Sequence, residues 1–412
     1  MKFLLLNQTF HPDVAASGQY LTELAQRLAE RGHQVVVLTS RRAYDNPQTI
    51  FPKSEIWRGV RIIRVTSTGF GKEAKWHRAA DFASFFFRCF CRSIFLPRQD
   101  AIVALTSPPL ISFLGAWLSR LRGSRFFYWV MDLNPDEAIA AGWLRRRGPA
   151  AKCLEWMSQF SLKHACRIIA LDVFMRDRIL AKGISRNKII VLPPWSHGGE
   201  VRFDAEGRQR FRQAHGLEDK FVVMYSGNHS PCHPLDTLMA AAHKLGSDRQ
   251  IIFCFIGGGS EWRKINRQIL ERKAPGLRDS NRQPTASLLC LPYQPLNKLS
   301  ASLSAADLQV VVMGEAFVGL VHPCKIYNIL SVGAPVLYIG PRRSHVSQIL
   351  ESVNGEHLWG AAAHGDVERV VKQIKDARDR SISLKRQIPP RIPSSFSRET
   401  VLPRLIGELE AV

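Results

Sequence analysis

Apolar residues along this chain alternate between short continuous runs and stretches at helical spacing. The first forty residues set the pattern. Positions 2–7 form a compact apolar run that reads as a buried strand. Tyr20, Leu21, Leu24, Ala25 and Leu28 then recur at helical spacing, Gly32 is a stop signal, and 34–39 is a second buried strand. Strand, helix and strand in that order make a βαβ unit, and its parallel strands imply a doubly wound sheet. The alternation continues with strands expected at 61–65, 101–106, 125–131, 167–171 and 188–192. Helices are expected between them at 79–96, 109–121, 150–164 and 173–182. A stretch rich in proline and glycine, 193–199, reads as a hinge.

A second series of the same design follows. Strands are expected at 221–226, 250–256, 287–291, 308–313 and 335–339. The helices of this series fall at 235–245, 261–272, 295–305, 324–332, 344–352 and 366–379. Positions 380–398, rich in Arg, Pro and Ser, read as a surface crossover, and a last helix at 399–410 could pack back on the first domain. The organisation is therefore α/β with two Rossmann-like domains. The first covers 1–195 plus the C-terminal helix at about 397–412, and the second covers 196–396.

Composition narrows the functional classes. The 412 residues are 45% hydrophobic and 22% charged, a globular profile long enough to bury large cores without staples. Eight scattered cysteines form no C-x-x-C pair, which points to reduced thiols and a cytoplasmic protein. The opening apolar run is too short for a signal peptide, and no stretch reaches the length of a spanning helix. The net charge is +22, and residues 1–200 hold 29 Lys/Arg against 15 Asp/Glu. Such a field attracts nucleic acid, anionic lipid or phosphorylated ligands. No nucleic-acid-reading motif accompanies it. An anionic membrane surface and a phosphorylated ligand fit better. The candidate membrane face is 72–98, where Lys72, Lys75, Arg78, Arg88, Arg92 and Arg98 lie among Trp76 and several phenylalanines. The same stretch also reads as a core helix with arginines at its edge.

Ligands of open α/β sheets bind at the carboxyl ends of strands, and several strand ends here carry unusual residues. The first loop leads into Ser17, Gly18 and Gln19. It reads either as a ligand approach or as a turn capped by Ser17, and Gly-x-Gly-x-x-Gly is absent. Asp132 and Asn134 end a strand, as a cleft carboxylate or as turn caps. The stretch 226–233 offers Gly227, Asn228, His229 and His233 as donors to phosphate or sugar oxygens, without metal-ligand spacing. Gly257, Gly258 and Gly259 between a strand and a helix make a possible phosphate cradle. The most informative stretch is 314–328. Lys325 falls in the first turn of a helix, where a cation is unfavourable unless an anion joins it. Cys324 could be a nucleophile, though no base is evident.

These segments together resemble family 4 glycosyltransferases of the GT-B fold. The resemblance runs through the opening NQTFHPDVAASGQYLTELAQRLAERGHQVVVLTS, TSPPL at 106–110, WVMDLNPD at 129–136 and YSGNHSPCHPLDTL at 225–238. It continues in FIGGGSE at 255–261 and HPCKIYNILSVGAPVLYIG at 322–340. The subgroup is similar to bacterial amino-sugar transferases of surface-polysaccharide assembly that act on polyprenyl-diphosphate-linked acceptors. The resemblance implies two Rossmann-like domains facing a central cleft, retention of anomeric configuration, and transfer that needs no metal or cofactor. It implies a nucleotide-sugar donor, UDP-linked, held by Gly227, Asn228, His233, Gly257, Gly258, Gly259, Tyr293, His322, Pro323, Cys324, Lys325 and Asn328. Gly18 and Gln19 would border the reacting centre beside a lipid-linked or saccharide acceptor. Asp132 and Glu315 would be catalytic, and the enzyme would sit on the inner face of the plasma membrane. The sequence departs from the family's usual pair of glutamates, with Leu320 and Asn328 in their places, and Asn228 and His233 stand where an Arg and a Lys are usual. A non-catalytic scaffold of the same fold and a nucleotide-sugar epimerase are the alternatives.

Overall fold

The computed structural model describes residues 1–13, 15–43, 48–70, 75–196, 201–273, 287–353, 359–383 and 394–411. Of the segments expected from sequence, Lys72, positions 197–199 of the hinge and positions 384–393 of the crossover lie outside the described residues.

The chain forms two compact units. One comprises Met1–Pro194, Gly319–His322 and the segment from Val401 onward, and the other Trp195–Val318 and Pro323–Thr400. The segment 319–322 thus belongs with the first unit, whereas the periodicity assigns all of 196–396 to the second.

The first unit opens with β1 (Lys2–Leu6), α1 (Ala16–Glu30), β2 (Gln34–Ser40), β3 (Ser54–Trp57), β4 (Val60–Val65) and α2 (Lys75–Ile94). Then come β5 (Ala101–Ala104), α3 (Ile111–Arg122), β6 (Arg125–Val130), α4 (Asp136–Ala140), α5 (Pro149–His164), β7 (Arg167–Ala170), α6 (Val173–Ala181) and β8 (Ile189–Val191). The strands order as β3-β4-β2-β1-β5-β6-β7-β8. All neighbours are parallel except the edge pair β3 and β4. Central strands such as Phe126–Val130 are buried on both faces, which explains their unbroken apolar runs. β3 is missed by the sequence reading because an edge strand buries only alternate residues. Its return turn uses positive φ at Arg58 and Gly59, a hairpin geometry.

The second unit contains α7 (Ala205–Ala214), β9 (Phe221–Asn228), α8 (Asp236–Lys244), β10 (Ile251–Gly258), α9 (Ser260–Lys273), β11 (Ser287–Leu291) and α10 (Leu296–Ser304). It continues through β12 (Leu308–Val312), α11 (Lys325–Ser331), β13 (Val336–Ile339), α12 (His345–Ser352), β14 (Trp359–Ala362) and α13 (Val367–Ser383). Its sheet is wholly parallel, β11-β10-β9-β12-β13-β14. α7 escapes the pattern because arginines, not apolar residues, carry its buried face. Arg212 is buried and bonds the Asp307 carboxylate at 2.9 Å. Asp307 also accepts from the Val222 amide, which ties the helix to β9.

The last helix, α14 (Arg398–Ala411), ends in the first unit. There Glu410 takes a bidentate pair from Arg31 and a 2.7 Å contact from His33.

Candidate active site

Strand order reverses between β1 and β5 in the first sheet and between β9 and β12 in the second. Loops on either side of a reversal diverge and open a crevice at the strand carboxyl ends. Most of the candidate residues flank these two reversals, each within its own unit.

In the first unit the loop after β1 is pinned by side chains. Asn7 donates to the Thr9 carbonyl at 2.8 Å, and the Thr9 and Ser17 hydroxyls are 3.2 Å apart. Arg64 donates to the His11 carbonyl, and the His11 ring stacks on Trp57. α1 is preceded by Ala15 with no side-chain cap, so the capping reading of Ser17 does not hold. Gly18 is buried, and a Cβ there would lie 3.0 Å from Thr9 Oγ1. Its smallness lets helix and loop meet. Gln19 is half-buried one residue further on.

Asp132 follows β6, half-buried, its amide 3.3 Å from the Thr106 hydroxyl of the neighbouring strand end. Burial first, and then the charge of Glu137, hold its carboxyl well above the usual range. α4 has no side-chain cap, and Asn134 instead donates to Glu137, so neither Asp132 nor Asn134 caps that helix.

His322 falls in the first unit, where Nδ1 meets the buried Asp172 carboxylate at 2.8 Å. The sequence reading names His322 with the donor-binding residues, and the structure places it beside Asp172. Asp172 caps α6 through the Met175 amide with its other oxygen. Nothing in the local sequence marks Asp172, because its partner lies 150 residues away.

The second unit gathers the remaining residues. β9 and β10 run side by side to their last residues, pairing Gly257 with Gly227 and Gly258 with Asn228. The glycines make this possible. A Cβ on Gly257 would sit 2.0 Å from the Gly227 carbonyl oxygen, and one on Gly259 2.3 Å from that of His229. Both have positive φ. Tyr293, partly exposed, covers Gly258. Their first service is thus to bring the β9 loop onto the β10 loop.

Lys325 begins α11 as expected. Its Nζ is shielded from solvent and has no hydrogen-bond partner among the described residues. It lies 3.5 Å from the centre of the Tyr225 ring. A Cβ on Gly227 would come within 3.2 Å of that nitrogen, so Gly227 leaves its flank open. Burial holds the ammonium well below the ordinary lysine pKa. His229 and His233 are buried beside it and are pushed down to about 3, by burial first and then by the Lys325 charge. Cys324 and Asn328 are half-buried on either side, Pro323 is buried, Asn228 is exposed, and Glu315 is exposed on a short 3-10 turn. A shielded lysine nitrogen beside two neutral histidines, with no hydrogen-bond partner among the described residues, is a setting suited to an anion.

Residues 16–195 match the family model described as glycosyl transferase 4-like domain. This part of the chain is similar to a glycosyltransferase domain. The chain is 24% identical over 395 residues to the putative colanic acid biosynthesis glycosyl transferase WcaI of Escherichia coli, covering 92% of each chain. Two solved structures share its fold at 15% identity. Sucrose-phosphate synthase of Thermosynechococcus elongatus has a TM-score of 0.73 with 100% of this chain and 98% of that one covered. Anabaena HepE in complex with UDP and glucose has a TM-score of 0.69 with both chains fully covered. The resemblance read in the sequence, to family 4 glycosyltransferases of the GT-B fold, stands.

Proposed function

We propose that this glycosyltransferase moves a sugar from a UDP-linked donor to a lipid-linked or polysaccharide-precursor acceptor. The reaction retains anomeric configuration and uses no metal. The observation that carries the reading is the Lys325 ammonium without a counter-charge. Breaking the glycosidic bond to a nucleotide leaves negative charge on the diphosphate, and a fixed cation there lowers the barrier. It does what a metal would otherwise do. His229 and His233 supply neutral donors and acceptors, Tyr293 suits the nucleobase, and Asn328 suits ribose hydroxyls. On the acceptor side Asp132, whose carboxyl pKa is raised by burial, manages a proton near the reacting hydroxyl, with Gly18 and Gln19 bordering it. Glu315 is the second carboxylate of the reaction.

The structure-based test is turnover of radiolabelled UDP-sugars with a lipid extract as acceptor. Transfer to a lipid-extractable product supports the proposal. UDP-sugar isomerisation without acceptor would instead make the protein an epimerase. Binding without transfer would favour the scaffold, the reading motivated by Leu320 and Asn328 at the glutamate positions.

We also propose that the first unit rests on an anionic membrane surface, peripherally and on the cytoplasmic side. No helix among the described residues is long and apolar enough to cross a bilayer. Trp76, Phe87, Ile94 and Phe95 are exposed on and after α2, Leu121 on α3 and Trp156 on α5. Aromatic contacts join these helices, with Phe86 stacked on Phe113 and Phe113 tilted against Trp156. Between Asp81 and Asp132 the only acid is Asp100, against six arginines. Aromatic crests in an acid-poor basic surface suit a headgroup layer.

A further inference from the structure

Lys325 has a partner, but the partner is not an acid. The Tyr225 ring is fully buried on β9, and its hydroxyl donates to the Asn228 carbonyl at 3.0 Å. Burial pushes the phenol well above its ordinary pKa, so the ring is never a phenolate. The other titratable groups facing the ammonium come from the loop after β9. His229 and His233 each donate through Nδ1 to a backbone carbonyl at 2.8 Å, of Gly227 and Val312 respectively. That leaves Nε2 as the lone-pair nitrogen, and in His229 it is buried without a partner. Tyr293, from the loop after β11, acts on Tyr225 rather than on the lysine. The acids of the neighbouring segments are turned elsewhere, Glu261 toward Lys264 and Glu315 into solvent.

We infer that Tyr225 replaces an acidic counter-ion for Lys325, so that the donor's diphosphate is the first anion to reach this lysine and its arrival draws a proton into the site. The inference rests on the donor reading above and specifies how that site works. A cation on a ring face gains roughly 2- to 30-fold in its favour, far less than burial of an ammonium costs. The ring therefore aims the lysine without neutralising it. An aspartate in that place would satisfy the ammonium and compete with phosphate. In the complex the diphosphate reverses the penalty and the ammonium form is favoured. Between the depressed pKa of the empty site and the raised pKa of the complex, each nucleotide bound takes up as much as one proton. Affinity then falls as pH rises, by up to about tenfold per pH unit. Tyr225 is a positioning residue that acts through Lys325.

The experiment is calorimetric titration with UDP between about pH 7 and pH 9, in pairs of buffers with different ionisation heats. His229 and His233 stay neutral across this range in the empty site, and titration of the nucleotide itself is common to all variants. The wild type should take up a proton on binding and weaken as pH rises. Lys325→Arg should bind UDP with no uptake beyond the nucleotide's own and with a flat profile, because a guanidinium does not deprotonate. Tyr225→Leu should begin weakening at lower pH than wild type, and Tyr225→Phe, which keeps the ring, should not. Equal proton uptake in wild type and Lys325→Arg overturns the inference, as does the same onset in the Leu and Phe variants. If Tyr225→Leu does not fold, the arginine variant decides alone. Failure of UDP to bind the wild type at all overturns the donor reading itself, a result distinct from binding without uptake.

Discussion

Replacing Lys325 by methionine should separate catalysis from stability. Methionine keeps an unbranched stem of similar reach and removes only the ammonium. In the unliganded protein the substitution loses the cation–π contact with Tyr225, about 0.5–2 kcal/mol. It also relieves the desolvation of an ammonium with no hydrogen-bond partner, an effective penalty of several kcal/mol. The balance favours the variant, so its melting temperature should match or exceed that of the wild type. Transfer should suffer. A charge-assisted hydrogen bond to the diphosphate contributes roughly 1.5–3 kcal/mol, and more as leaving-group charge develops. Loss of a single donor to developing charge typically costs about 10²- to 10³-fold in turnover. The assay pairs thermal unfolding without ligand with kcat/KM for the donor sugar. A variant that melts well below wild type yet transfers sugar normally would make Lys325 a structural residue and refute the reasoning.

Three further outcomes follow from the geometry. Gly257→Ala places a Cβ 2.0 Å from the Gly227 carbonyl at positive φ and should lose about 2–4 kcal/mol in denaturant unfolding, whereas Gly365→Ala, with open space and positive φ, should lose only about 1 kcal/mol. Asp132 has a raised carboxyl pKa in the fold, so the wild type loses stability as pH climbs from the ordinary carboxylate range to that raised value; the advantage in melting temperature of Asp132→Asn should therefore grow over the same interval, and a constant difference would contradict the burial argument. Reversing Arg88, Arg92 and Arg98 to glutamate should abolish flotation with anionic vesicles while leaving UDP affinity within about twofold, since surface charges act within a Debye length; unchanged flotation would remove this face from the membrane.

The two-sheet architecture is legible in the sequence because parallel strands are buried on both faces and read as plain apolar runs. Strands such as 287–291 and helices such as α5 and α12 fall within a residue or two of their expected bounds. What escapes has little apolar signal. β3 is a half-exposed edge, α7 buries arginines, α4 is five residues long and β14 is the short WGAA. The site divides in the same way. Lys325 is recognisable because a cation at a helix start is out of place. The glycines at the ends of β9 and β10 show as punctuation, but their purpose, close approach of two strand ends, needs the pairing of β9 with β10. The setting of His322 is not legible locally, because the periodicity around it belongs to the second unit while its partner Asp172 lies in the first. Tyr225 looks in sequence like any other core aromatic, and only the ammonium above its face singles it out.

The most direct test of the donor site is titration of UDP, GDP, ADP and TDP against wild type and Lys325→Met. The account predicts that UDP binds the wild type best and that the methionine variant loses at least about tenfold of that affinity, the equivalent of a single charge-assisted bond. Equal affinity in the two proteins, or no nucleotide binding to either, would contradict it.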